Sequence, residues 1–207
     1  MNKLFHNIVI LLFALFSCAT ALATASDDVA QRLSGFTSMT ANFQQTVYDA
    51  KKQPIQQSSG SMALSRPGKF RWEVTQPTPQ LLLADGKNLW IYDMDLDQAT
   101  RQAISPDNAN SPASLLSGDV SALQQRFSVT NLHEKPYTAF RLKPRKANDL
   151  FKYIDLYFDQ NQLIQMQLAD NLGSLSVFDF NQIQLDPPLS DKLFTFKPPK
   201  GVDVIEN

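Results

Sequence analysis

The chain is predicted to be mainly β, an antiparallel meander that curls, with a few short helices laid over it. Apolar and polar residues alternate with period two through several stretches, and short polar turns rich in Pro, Gly, Asn and Asp separate them. Helical spacing is confined to one N-terminal and one central segment, so the class is α+β with the sheet dominant.

The first residues read as an export signal and not as part of the fold. Met1 to Asn7 carries one lysine, Ile8 to Phe16 is unbroken apolar sequence, and Ala21-Leu22-Ala23 or Ala23-Thr24-Ala25 offers small residues to a peptidase. Residues 1–23 are therefore expected to be a signal peptide, with cleavage after 25 as the alternative. A membrane anchor is the competing reading, but Ile8 to Ala25 is barely long enough and contains Ser17, Thr20 and Thr24. Leu15-Phe16-Ser17-Cys18 resembles a lipidation site only loosely, because Phe16 is bulky for it.

The remaining residues, 24–207, fit one domain with a sizeable core. Lys3 is the only charge lost with the signal, so Lys and Arg fall to 18 against 20 acids, a balance that attracts neither nucleic acid nor anionic lipid. Cys18 is the only cysteine and leaves as well, so packing has to stabilise the exported protein without disulfides.

Met39, Ala41, Phe43 and Val47 share one face of a first strand, and a turn around Lys51 to Pro54 leads to Gly60, Met62 and Leu64 on a second. Arg66-Pro67-Gly68 makes the next turn, since proline presets its own backbone and glycine accepts positive φ. Phe70, Trp72 and Val74 share a face of the third strand, and Asp85-Gly86 joins Leu81–Ala84 to Leu89–Tyr92 as a hairpin. In the second half, Ile154, Leu156 and Phe158 alternate on one strand. Asp159 to Gln162 turns into Ile164, Met166 and Leu168, and Asp170 to Gly173 turns into Ser174–Phe180.

Ser26 is expected to cap a helix carrying Val29, Leu33 and Phe36 on one face, with Asp27 and Asp28 placed well for its dipole. Ser111 is expected to cap Pro112–Leu116, with Gly118 ending it, and Asp119 to cap a second short helix carrying Val120, Leu123 and Phe127. A helical insert between two β halves has to cover something, and the concave apolar side of a curved sheet is the simplest candidate.

No catalytic constellation assembles. Beyond the signal there is no cysteine and a single histidine, His133, in a polar stretch; no phosphate loop, Gly-x-Ser-x-Gly elbow or His-Glu-x-x-His occurs. Asp93-x-Asp95-x-Asp97 begins like a calcium loop, but Gln98 stands where glycine is needed and Ile104 where the bidentate glutamate belongs. Glu73, Asp85 and Asp93 could converge as glycosidase carboxylates, although no spacing singles them out. No cofactor or metal site is expected.

Several segments in order do carry a resemblance: ANFQQTVYD from Ala41, RPGKFRW from Arg66, DGKNLWIYD from Asp85, SPASLL from Ser111, and FTFKPPKGVDV from Phe194. Together they resemble the LolA family of periplasmic lipoprotein carriers over nearly the whole mature chain. The resemblance implies an unclosed β-barrel lidded by short helices, with the lid segment at about 107–127, and a space between that shelters acyl chains. It implies a monomeric periplasmic chaperone that accepts acylated lipoproteins from a releasing ABC transporter of the inner membrane. Delivery would be to an outer-membrane receptor of the LolB type. LolB itself is a lipoprotein, which the poor lipidation site disfavours here. A lipid-binding envelope sensor on the same half-barrel, as in RseB-like relatives, is the alternative, and an enzyme acting on acyl or glycosyl groups ranks third.

In the family the basic residue opening the RPG turn holds the lid closed, which implies that role for Arg66. On the residues alone Arg66 reads first as a solvated turn residue, the usual fate of an arginine before proline, although a guanidinium with five donors suits several helix-end carbonyls at once. Phe70 and Trp72 line either a cavity or a core as far as periodicity goes, and the resemblance turns the phenylalanine towards the cavity. Leu81, Leu83, Trp90, Met94, Leu115, Leu116, Ile154, Leu156, Met166 and Leu168 are further candidates for an acyl-chain wall.

Overall fold

The alternating stretches form strands of a single sheet, because each presents one apolar face that must be covered. The computed structural model describes residues 24–104, 112–118, 120, 123–146 and 151–206. The expected signal, Cys18, Ser111, Asp119 and the first residues of the expected lid lie outside them.

The strands are β1 (Ser38–Tyr48), β2 (Pro54–Ser65), β3 (Lys69–Gln76), β4 (Gln80–Asp85), β5 (Asn88–Asp93), β6 (Gln98–Ala103), β7 (Phe127–Asn131), β8 (Thr138–Pro144), β9 (Phe151–Asp159), β10 (Gln162–Asp170), β11 (Leu175–Leu185) and β12 (Asp203–Glu206). Their order in the sheet is β12-β6-β5-β4-β3-β2-β1-β11-β10-β9-β8-β7, so the two meanders meet where β1 pairs with β11. Every pair is antiparallel except β12 with β6. β12 and β7 end the order without pairing to each other, and the barrel is unclosed.

Register assigns the faces. Met39, Leu64, Phe70 and Ala84 stand opposite one another in turn across β1 to β4, and Leu142, Ile154 and Leu168 do so across β8 to β10. Both sets belong to one apolar cluster that also contains Val29, Leu33 and Phe36 from the N-terminal helix region. Leu115, Leu116 and Leu123 join it from the central helices. The sheet thus wraps its concave face around side chains supplied by the helices.

These helices are α1 (Ala25–Ser34), α2 (Pro112–Ser117) and α3 (Leu123–Arg126). Thr24, not Ser26, caps α1: its hydroxyl accepts from the Asp27 N–H at 3.2 Å and its own N–H donates to Asp27 Oδ2 at 3.1 Å. The acid three residues on makes this capping box, which places Ser26 inside the helix. Phe127 likewise opens β7 and does not close a second central helix. The β-branched Val129 and Thr130 pair with Leu142 and Arg141 across β8 instead.

A second correction concerns β10. Register slips between Leu163 and Gln165, so Ile164 is the extra residue of a bulge. Leu163 is fully buried in the core with Met166, whereas Ile164 is only half-buried.

The other face of β3 to β5 is covered too. The chain after β11 crosses it as an irregular strap containing a 3-10 turn, Asp191–Phe194, tied down by Lys69 Nζ to Asp191 at 2.7 Å. Phe194 is buried, and the Phe196 ring lies 5.3 Å from Trp90 and 5.2 Å from Tyr92. Leu81 and Leu83 are opposite Tyr92 and Trp90, on this convex side.

Gly60 marks a tight point on the concave side. A Cβ there would stand 1.9 Å from the Glu73 carbonyl oxygen and 2.9 Å from the Phe43 ring, which stacks on Trp72 at 3.8 Å. Gly60→Ala is therefore expected to cost about 3 kcal/mol by overpacking. The midpoint of urea unfolding measures it, and an unshifted midpoint contradicts this close approach.

Candidate functional site

Three backbone segments leave carbonyls unsatisfied at one end of the concave face. They are the last turn of α1, the loop between α1 and β1, and the end of α2. Arg66, held at the end of β2 by its own N–H on the Thr37 carbonyl (2.8 Å), reaches all three. Its Nη1 donates to Leu33 O and Phe36 O, both at 2.5 Å, and Nη2 donates to Leu116 O at 2.7 Å. The guanidinium also lies 4.4 Å from the centre of the Phe36 ring.

The same turn adds a backbone bond. Gly68 N–H donates to Ser117 O at 2.8 Å, and its φ of +76° is a conformation that glycine adopts without strain. A six-residue helix cannot hold itself, so α2 relies on this turn and on the burial of Leu115 and Leu116.

Burial pushes the Arg66 guanidinium down to about 10, and Asp186 opposes that shift. Arg66 is charged at neutral pH. Its Nε is buried without a partner among the described residues, so the cation is incompletely satisfied in this arrangement. Asp186 ties the junction from the other side: its Oδ1 accepts from Thr37 N at 2.7 Å and Thr37 Oγ1 at 2.9 Å. Those backbone and hydroxyl bonds hold its carboxyl below the usual range, with a smaller contribution from Arg66.

Below these bonds lies the concave face. Phe70, Leu115, Leu116, Ile154, Leu156 and Met166 are buried within the core cluster, and Trp72 and Leu168 are partly buried against it. Trp72 is at the centre of a ring cluster, stacked on Phe43 and edge-on to Phe178 at 5.4 Å. Leu81, Leu83 and Trp90 do not belong with them: the strap and Phe196 cover them on the convex side. Met94 follows β5 in a turn, half-buried. Phe43, Val74, Leu82, Leu89 and Phe178 are concave-face residues that the sequence reading left unassigned as wall residues. Alternation with Met62, Trp72 and Met166 was the signal for them.

The groups considered for chemistry are dispersed. Glu73 pairs with Arg71 at 2.8 Å, Asp85 accepts the Lys87 and Asn88 N–H groups, and Asp93 accepts those of Asp95 and Leu96. Each carboxylate serves its own pair or turn. Among the described residues no three His, Cys, Asp or Glu side chains gather as a metal site.

A half-barrel whose concave face is covered by short helices joined to Arg66 can be compared with known proteins. Residues 34–197 match the family model described as outer membrane lipoprotein carrier protein LolA. This chain belongs to the LolA family. It is 42% identical to an outer-membrane lipoprotein carrier protein of Coxiella burnetii, over 95% of this chain and 94% of that protein. It is 41% identical to one from Legionella pneumophila over the full length of both. A LolA superfamily protein from Nitrosomonas europaea shares the fold at a TM-score of 0.51 and 14% identity, covering 84% of this chain and 99% of that one.

Within this LolA-family chain, replacing Arg66 by lysine is expected to lose the fork and free at least one carbonyl, at about 1–3 kcal/mol. Amide exchange through α2 should quicken while that of β1 and β11 stays unchanged. Uniform exchange across all three would refute the local role. For Asp186, a depressed folded-state pKa means its stabilisation is complete above the unfolded value of about 3.9 and is lost as pH falls through the lower folded value. Asp186→Asn should accordingly flatten the fall in stability below about pH 4, read from thermal midpoints against pH.

Proposed function

We propose that the chain is a periplasmic carrier that shelters the acyl chains of lipoproteins between the concave sheet face and its helical lid. Membership of the family supports carriage of lipoproteins. The observation that supports a lid is the Arg66 guanidinium, joined at once to the carbonyls of Leu33, Phe36 and Leu116. Here Arg66 is the latch, and Phe70, Trp72, Leu115, Leu116, Ile154, Leu156, Met166 and Leu168 are the wall exposed when the lid lifts.

In this reading residues 1–23 direct export and 24–207 act as one domain and one monomer. Cleavage after Ala23 leaves Thr24 as the first residue and keeps the capping box of α1, whereas cleavage after Ala25 destroys it. The protein works by binding and release and not by turnover. It takes cargo from a releasing ABC transporter of the inner membrane and gives it to a receptor of the LolB type. No helix among the described residues is long and apolar enough to cross a membrane.

Loading replaces lid contacts by acyl contacts, and the lost Arg66 bonds weaken apparent affinity enough for cargo to pass on. Purified protein is incubated with proteoliposomes holding the transporter and a triacylated lipoprotein, and the soluble complex is counted. The wild type should form a stoichiometric complex and surrender it to the receptor. Arg66→Leu should load as well or better but release at least tenfold more slowly. Release at the wild-type rate removes the latch from the mechanism.

The two tryptophans give a second test, since they stand on opposite faces. Trp72 fluorescence should shift on binding a palmitoylated peptide and Trp90 fluorescence should not. Trp72→Phe abolishes the signal, and Trp90→Phe keeps it.

A further inference from the structure

The concave face is not apolar throughout. On β1 the alternation that sets Met39, Ala41 and Phe43 into the core puts Gln45 on the same face, with no register slip between Phe43 and Gln45. Gln45 stands opposite Phe178, whose ring touches Trp72, and opposite Ser58 of β2. It is half-buried. Ser58 Oγ donates to Gln45 Oε1 at 3.1 Å, which fixes the amide and leaves its NH2 group without an acceptor among the described residues. Ser176 lies on the same face one pair further out, opposite Val47.

On β1 and β2 these groups, with Gln56 opposite Val47, interrupt the apolar floor at the edge away from Arg66, while Leu168 and Ile154 continue it on β10 and β9. We infer that Gln45, positioned by Ser58, is a carbonyl-recognising donor at the rim of the cavity, reading the ester carbonyls of a diacylglyceryl group whose chains lie on the floor beyond. The inference rests on the carrier reading and deepens it. Ester oxygens only accept hydrogen bonds, and a primary amide offers two donors without a charge. A free fatty acid or a phosphate would call for a cation, and Arg66 is committed to backbone carbonyls at the opposite end of the face. The rim therefore distinguishes esterified glycerol from chains of equal length lacking carbonyls.

Binding of two lipopeptides to the intact mature protein tests this. One carries S-(2,3-dipalmitoyloxypropyl)cysteine and the other its dihexadecyl ether analogue, which keeps two long alkyl chains and removes both carbonyls. The wild type should prefer the ester by roughly threefold to tenfold, the worth of one net hydrogen bond. Gln45→Leu and Gln45→Glu both remove the donor while changing rim polarity in opposite directions, so both should reduce the ratio to about one. Equal affinity of the wild type for ester and ether, or equal loss of both ligands in the variants, overturns the inference. Dipalmitoyl phosphatidylglycerol as a third ligand identifies the source: a Gln45-dependent preference confined to the lipopeptide assigns the rim to the modified cysteine. The same preference with the phospholipid assigns it to diacylglycerol esters generally. If neither lipopeptide binds the wild type, the carrier reading itself fails.

Discussion

A half-buried guanidinium joined to backbone carbonyls of three segments is the interaction on which the arrangement over the concave face depends. A charge taken from water is costly unless hydrogen bonds replace its hydration, and here three carbonyls, an aromatic face and the nearby Asp186 do so. The replacement is incomplete, because Nε has no partner among the described residues. An interaction assembled from three chain segments is also cooperative in the simple sense that moving any one leaves the cation less satisfied for the others. α2 feels this most, being too short to persist alone and tied at its end by both Arg66 and Gly68.

The sheet supplies the rigid half. β1 to β5 and β11 are buried on the concave side by the common cluster, and β3 to β5 carry a second apolar layer under Phe194 and Phe196. A strand covered on both faces cannot slip register without exposing one of them. Side chains on the convex side therefore fix the sheet, while those on the concave side are shared with helices held largely by their ends.

Much of this was legible because period-two alternation survives wherever one face is buried, as from Met39 to Phe43 and from Ile154 to Phe158. The turns at Arg66-Pro67-Gly68 and Asp85-Gly86 were legible from backbone chemistry alone. The failures have equally local causes. Leu81-Leu82-Leu83 is a continuous apolar run, the mark of a strand buried on both sides, so alternation alone does not separate Leu81, Leu83 and Trp90, which face the convex side, from Leu82 on the concave side. Ile164 was misplaced because a bulge breaks alternation without a glycine to announce it. β6, β7, β8 and β12 escaped notice since QATRQA, FSVTN, TAFRLKP and DVIE hold few alternating apolar residues, and their pairing comes from the neighbouring strand. Arg66 was singled out by resemblance; its three partners lie 30 to 50 residues away in sequence and no local pattern encodes them.

The energetics favour a filled rather than a hollow resting state. An acyl chain of about fifteen methylenes gains about 12 kcal/mol on full burial, and two such chains would pass the limit of non-covalent affinity. A carrier with an empty apolar cavity would express nearly all of that and could not unload. In this protein the concave-face residues Phe70, Ile154, Leu156 and Met166 already share one cluster with Val29, Leu33, Phe36, Leu115 and Leu116. In the proposed carrier an entering chain exchanges with side chains of its own polarity, so the gross gain from burial is largely offset by lid surface returned to water. What remains is a small difference between two similar apolar contacts, less the polar bonds broken at Arg66. Tuning so small a residue of so large a quantity falls to the few hydrogen bonds at the ends of the concave face.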